Sequence, residues 1–348
     1  MPFALEGPAA APVVDPGALT FFARDLGANA MRALRIDARG VRVDPAGDAV
    51  SVAACGATRW LLGFESHGAR ARWSLRAEGA PELWSRAIST SDFEMVRLDC
   101  AGAAPVLGWI ERGELVTVSL GTSPGAVPAV SRVRVLPATE RADVEWRRAP
   151  TGEIFAAVSV WSPRSAELLR IAGGVVTHRA PLGVASSIVL ALSPDRILVA
   201  RTIAPDARLA FSSFAAADLS PGRDTPLPPT ADRRGVVHCA WLAAGPAGRV
   251  VLALVESWQG PDWVSIAQGP NEPARQEPAY HSTVALRLWE TRTGRIGPAL
   301  PLGSRYAGAG AWLGEQFVLV TPVESDGVVA GVVQLRAARV RRFALRAP

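Results

Sequence analysis

The feature that most limits what this chain can fold into is a recurrence. Six stretches share one plan, an apolar strand, a short turn and a second apolar strand. They begin at Ala49 (AVSVAACGATRWLLGFES), Val96 (VRLDCAGAAPVLGWIERG), Asp143 (DVEWRRAPTGEIFAAVSVW), Ser187 (SIVLALSPDRILVARTIA), Val236 (VVHCAWLAAGPAGRVVLALVES) and Tyr306 (YAGAGAWLGEQFVLVTPVES). The first five starts stand about 44 to 49 residues apart. Apolar residues at every second position mark strands with one buried face. A steady spacing of this size is that of four-stranded propeller blades, and a two-sheet sandwich array gives no reason for it.

Before the first of these units, Leu19 to Arg24 and Ala33 to Asp44 read as strands, the latter a hairpin turning at Arg39-Gly40. Six units fit between Ala46 and Pro348, and residues 19 to 45 supply strands for a seventh. The expected fold is therefore all-β, a β-propeller of four-stranded antiparallel blades, seven in number, with six as the alternative. Closure calls for N- and C-terminal strands to share a blade, because an unpaired edge at the seam invites aggregation. Residues 1–18, rich in Pro and Ala, are expected to form a flexible arm, and 19–348 a single propeller domain. Between the fifth and sixth starts the spacing grows to 70, a surplus of about 22 residues. It falls at 259–281 (QGPDWVSIAQGPNEPARQEPAYH), which reads as an inserted surface loop.

Within the fifth unit, STVALRLWETRTGRIGPALPLG (Ser282 to Gly303) places Val284, Leu286 and Leu288 at period two, followed by Trp289, Glu290 and a Thr293-Gly294 turn. This segment resembles the closing strands of a WD-repeat blade, in which a Leu-Trp-acidic signature precedes a Thr-Gly turn. The segment from Ser187 is similar to the opening of such a blade, since Leu192-Ser193-Pro194-Asp195 stands where that family turns from its first strand to its second. Proline presets φ there, and the Asp side chain can accept from nearby amides. Arg196 occupies the place of the family's usual glycine, and the other units lack Ser-Pro-Asp. The resemblance implies a propeller that mediates protein–protein interaction.

Several chemistries are excluded by composition. The chain has no lysine, so all 37 strong cations are arginines, and its only asparagines are Asn29 and Asn271. Without lysine there is no Walker-type phosphate loop, Schiff-base enzyme or kinase-type lysine. Arginine in place of lysine is what a GC-rich bacterial coding sequence produces, which weakens the net charge of +5 as a sign of nucleic-acid binding. Cys55, Cys100 and Cys239 are an odd number of widely spaced thiols in apolar contexts. They read as buried free cysteines of a reducing compartment. The N-terminal residues lack a basic leader and an unbroken apolar run, and no segment nears eighteen apolar residues, so neither a secretion signal nor a membrane span is expected. The expected location is the cytoplasm.

No motif in the chain points to catalysis. His67, His178, His238 and His281 lie in different units without metal-ligand spacing. Two asparagines are too few for a divalent site of the lactonase kind at a channel mouth, and Tyr280 and Tyr306, the only tyrosines, come without sialidase turns. No nucleophile elbow occurs. No catalytic residue, metal site or cofactor is therefore expected.

The candidate partner-binding residues are of two kinds. Trp258 and Trp263 flank the start of the insertion, unlike Trp60, Trp109, Trp146, Trp161, Trp241 and Trp312, which sit in or beside strands and suit packing between blades. Arg336, Arg339, Arg341 and Arg342, with Arg346, gather near the C-terminus, and Arg32, Arg35, Arg39 and Arg42 near the N-terminus; if the ends meet, they form one basic surface. The reading that follows is a non-enzymatic scaffold binding one or more proteins in a bacterial cytoplasmic assembly. Alternatives are a propeller hydrolase or lyase with its site at the channel mouth, and nucleic-acid binding through the arginines.

Overall fold

The structure, a computed structural model, describes residues 3–4, 13–15, 18–25, 30–45, 51–56, 58–67, 70–89, 96–121, 127–136, 142–161, 164–203, 208–228, 235–266, 275–303, 307–329 and 332–343. Their strands form seven antiparallel sheets in chain order, a number in keeping with the expected seven units. The first contains Phe3–Ala4, Val13–Asp15, Ala18–Asp25, Ala30–Asp37 and Gly40–Pro45. The second to fifth are meanders of four strands that open with Ser51–Cys55, Arg97–Ala101, Ala142–Arg148 and Ala185–Leu192. The sixth is built on Val236–Ala244, Arg249–Ile266 and Arg275–Glu290, with two short strands after them. Only Ala309–Leu313, Gln316–Val329 and Val332–Phe343 make up the seventh. Each unit read from the sequence thus supplies the first two strands of one sheet, and the turn between them sets the register.

From the second sheet to the seventh the first strands of successive sheets lie beside one another, and the faces between these sheets are filled with apolar side chains. Leu62, Leu75, Leu107 and Trp109 pack between sheets two and three, and Trp146, Ile154 and Leu169 between three and four. Leu168, Leu190 and Val199 follow between four and five, Phe211, Leu252 and Trp289 between five and six, and Leu286, Trp312 and Phe317 between six and seven. Leu19, Phe21, Leu34 and Ile36 of sheet one meet Ala309, Ala311, Val318 and Val320 of sheet seven. The array therefore returns on its start. A ring of radial antiparallel sheets packed face to face is a β-propeller.

Tryptophan does much of this packing, as the sequence suggested for Trp60, Trp109, Trp146 and Trp312, all buried. Burying one such side chain removes on the order of 200 Å² from water, worth up to about 5 kcal/mol. Trp146 lies so close to the backbone of Gly108 that a Cβ there would fall 2.4 Å from its ring. Trp241 is half-buried and stacks on Phe317, and the side chain of Trp161 is outside the described set.

Two expectations are corrected. Cys55 and Cys100 are joined in a disulfide, with Cα atoms 5.3 Å apart, and only Cys239 is free. The bridge links the first strands of sheets two and three, which the ring places side by side although 45 residues separate them in sequence. The proposed arm contributes strands Phe3–Ala4 and Val13–Asp15, both paired with Ala18–Asp25. Among the described residues no ladder joins the first sheet to the seventh, and apolar packing holds them together. An arginine bond crosses this seam: Arg342 Nη2 donates to the Asp37 carbonyl at 2.5 Å. Among the described residues no helix is long and apolar enough to cross a membrane.

Candidate functional site

Sheet six departs most from the common plan. Its second and third strands pair from Arg249↔Glu290 outward, but the first strand accompanies them only to Ser257, the partner of Val236. Past that level the hairpin continues alone, from Trp258 to Ile266 and back from Arg275 to His281. At about 3.3 Å per residue this projects it up to roughly 30 Å beyond the first strand. The stretch 259–281, expected as a loop, is thus paired strand at both ends, while 267–274 lies outside the described residues. Pro261 cannot donate to a ladder, and the pairing steps over it in a bulge, from Gln259↔Tyr280 to Trp263↔Pro278. Trp263, Val264 and Ile266 are strong strand formers and re-establish the register beyond it.

Trp258 stands at the base of this projection, opposite His281. The two rings stack with centroids 5.8 Å apart and an interplanar angle of 19°. Gly260 makes room for the imidazole, since a Cβ there would lie 2.3 Å from His281 Nε2. Trp258 is half-buried by this arrangement and marks the point where the sheet ends and the projection begins.

A second projection, not expected from the sequence, rises from sheet seven. In sheet seven the first strand ends opposite Val320, the partner of Ala309, yet the other two strands continue to Val329↔Val332. This hairpin carries Arg336 in a bulge, between Leu335↔Glu324 and Ala337↔Val323, and Arg339 opposite Thr321. The stretch 317–329 (FVLVTPVESDGVV) outlasts its five-residue partner Ala309–Leu313, but Pro322, Glu324, Ser325 and Asp326 break its apolar pattern, so the sequence carried little signal of it. Both projections connect second to third strands, and successive sheets run in the same sense, so they rise side by side from one end of the propeller. The inner strands of the two sheets are fastened together: Trp312 Nε1 donates to the Ala243 carbonyl at 3.0 Å and Trp241 Nε1 to the Gly308 carbonyl at 2.9 Å.

The sequence-predicted residues thus divide. Trp258, Trp263, Arg336 and Arg339 belong to the paired projections, whereas Arg341 and Arg342 lie in the body of sheet seven, opposite Leu319 and Val318. Arg341 Nη2 donates to the Leu302 carbonyl of sheet six at 3.2 Å, and Arg342 reaches sheet one. The two ends do meet, as the basic-surface reading required. Arg35 and Arg42 stand directly opposite each other in sheet one, and Arg39 is exposed at the adjoining turn. Among the described residues no carboxylate pairs with Arg35, Arg39, Arg42, Arg341 or Arg342. Further round the ring many arginines are matched, Arg132 by Glu111 at 2.9 Å and Glu114 at 3.3 Å, Arg134 by Glu114 at 3.0 Å, Arg72 by Glu82 at 2.8 Å.

Polar groups on the inner strands are tied to one another. Glu145 of sheet four receives Arg97 of sheet three at 2.5 Å and Arg147 at 2.7 Å. Asp99 accepts from the Arg148 amide at 3.1 Å. In sheet five, Arg201 is held by Ser212 and by Asp224 at 2.8 Å. Burial lowers the pKa of His238, which favours the neutral ring, and raises that of the Cys239 thiol, which keeps it protonated. Of the other histidines, His178 lies 3.3 Å from Arg170 Nη1, and the His67 side chain is outside the described set. Among the described residues no group of three or more His, Cys, Asp or Glu is placed to hold a metal ion.

No protein-family model matches this chain. No curated protein matches it either. Solved structures do: the chain is similar to the Cps50 (Swd1) β-propeller domain of Myceliophteria thermophila, at 12% identity over 99% of each chain with a TM-score of 0.53. It is similar to the β-propeller domain of the Trilobed protease from Pyrococcus furiosus, described as having an open velcro topology, at 9% identity over 96% of this chain and 94% of that one, TM-score 0.54. A protein from Lactobacillus plantarum matches at 9% identity over 90% of this chain and 95% of that one, TM-score 0.51. The chain is a β-propeller with a distant resemblance to WD-repeat propellers.

Proposed function

We propose that the chain is a non-enzymatic propeller scaffold that docks a protein partner within a bacterial multi-subunit assembly. The observation that carries this reading is the pair of adjacent hairpins on sheets six and seven. They project from one end of the ring, present Trp258 at the base of one, and place Trp263, Arg336 and Arg339 along their lengths. Tryptophan and arginine are the side chains that dominate interface energetics. The cytoplasmic setting expected from three reduced thiols loses that support, because the Cys55–Cys100 bridge favours an oxidising compartment.

The test replaces 260–280 by an Asn-Gly turn, which closes the hairpin just above Trp258. Tagged intact and shortened chains are purified from the native host under the same conditions. A stoichiometric partner recovered with the intact chain and lost with the shortened one supports the reading. Equal recovery with both removes the sheet-six projection from it, and a solitary intact chain removes the scaffold reading.

A further inference from the structure

Among the described residues every sheet but the seventh has a strand beyond its third. Those outer strands range from two residues in sheet five (Thr225–Pro226) to nine in sheet four (Val175–Gly183). In sheet seven the ladder stops at Val332–Phe343, whose outer side pairs with nothing among the described residues. Phe3–Ala4 lies near this strand but pairs with Ala18–Asp25. A twelve-residue edge of this kind offers a row of unpaired N–H and C=O groups.

The charges around the edge select what can fill it. Arg341 and Arg342 lie on the edge strand itself, and Arg342 leans on Asp37, which brings it to the Arg35, Arg39 and Arg42 group of sheet one. Arg35 and Arg42 face each other across neighbouring strands, an arrangement that costs stability through like-charge repulsion. The Asp37 carboxylate, whose Oδ1 accepts from the Arg39 amide at 2.8 Å and caps the turn, forms no ion pair with them among the described residues. A second copy of this edge would bring the same arginines with it and be repelled. Residues Pro8 and Pro12 of the N-terminal stretch lack the N–H that a ladder needs.

We propose that the open edge of sheet seven accepts an extended acidic segment of the partner protein as its missing fourth strand. Main-chain hydrogen bonds to Val332–Phe343 supply the register, and acidic side chains at alternate positions face the seam arginines. This deepens the scaffold reading and rests on it.

The probe is a labelled peptide of roughly ten residues alternating Glu and Val, long enough for one strand. It is compared by fluorescence anisotropy with an equivalent Lys/Val peptide and with single-stranded DNA, on the full chain. Hydrogen exchange is followed at 332–343 with and without peptide. The Glu/Val peptide is expected to bind more weakly as salt rises and to protect the amides of 332–343, while the Lys/Val peptide does not bind. Charge reversal at both Arg42→Glu and Arg342→Glu should weaken the acidic peptide about tenfold or more and admit the Lys/Val one. That exchange of preference also shows that the variant is folded, and the exchange measurement on the unaltered chain stands without it. Protection of the outward-facing amides of 332–343, those that do not bond to Gln316–Val329, before any peptide is added, meaning that the chain fills its own edge, overturns the proposal. So does DNA binding that matches the peptide and leaves the amides unprotected. If the peptide fails while the sheet-six hairpin still governs partner recovery, this proposal falls and the scaffold reading stands.

Discussion

Reducing the Cys55–Cys100 bridge perturbs the protein without altering a single packed atom beyond the two sulfurs, so its cost can be worked out directly. The bridge closes a loop across a sequence separation of 45. In the chain-entropy treatment, closure removes about 13 cal/mol/K from the unfolded ensemble, or about 4 kcal/mol at 25 °C. At about 2.1 cal/mol/K per residue, a 348-residue chain unfolds with an entropy of roughly 730 cal/mol/K. Full expression of the bridge's contribution then lowers the melting midpoint by about 5 °C, and disulfides often deliver less than the entropic figure. The assay compares thermal melts of oxidised and reduced protein, with Cys55→Ala/Cys100→Ala as the control that no reductant affects. Thiols are counted by alkylation in denaturant on protein trapped in the cells that make it. One reactive thiol per chain, Cys239, is expected. Three thiols per chain would refute both the bridge and the oxidising compartment argued from it, and a midpoint that reduction leaves unmoved would refute the stabilisation worked out above.

Three further outcomes are expected. Gly108→Ala drives a methyl group into Trp146, 2.4 Å from its ring, and should cost about 1 to 3 kcal/mol, read as a lower midpoint in denaturant with an unchanged β-sheet circular dichroism spectrum. Trp312→Phe keeps most of the buried surface but deprives the Ala243 carbonyl of its donor, a loss of about 1 to 3 kcal/mol that Trp241→Phe should not exceed, because Trp241 is only half-buried. His238 has its folded pKa held below the ordinary 6.5 by burial, so the unfolded chain takes up the proton first. The associated stability is complete above pH about 6.5 and is lost as pH falls through that value; His238→Gln should flatten the dependence of the melting midpoint on pH between about 7 and 5, and an unchanged slope would assign the acid sensitivity to other groups.

Much of the fold could be read from residues because its signals are local. The Ser193-Pro194-Asp195 turn closes through reciprocal backbone bonds between Ser193 and Arg196, at 2.8 and 3.3 Å, even with arginine in the place of glycine. At Thr293-Gly294 the glycine is required, since it adopts φ +70° while its amide donates to the Glu290 carbonyl at 2.9 Å and Thr293 Oγ1 donates to the Glu290 carboxylate at 2.7 Å. What escaped was set by rotation between sheets. Cys55 and Cys100 come together because two inner strands become neighbours, and the opposition of Arg35 and Arg42 depends on a register fixed by the Asp37–Gly40 turn. The projection of sheet six was visible as surplus length, but prolines disguised its strands; that of sheet seven left no surplus between units and was passed over.

The seam between sheets one and seven also sets how the molecule yields to force. Within each sheet, neighbouring strands are zipped by successive hydrogen bonds, whereas across the seam the described residues Leu19, Phe21, Leu34 and Ile36 meet their counterparts through apolar contact, beside the Arg342 bond to Asp37. Sheets one and seven carry the two chain ends, so tension applied at those ends falls on this joint first. The ring should then open into an arc with its sheets intact, at lower force than strand-by-strand peeling requires, and reclose when the load is removed.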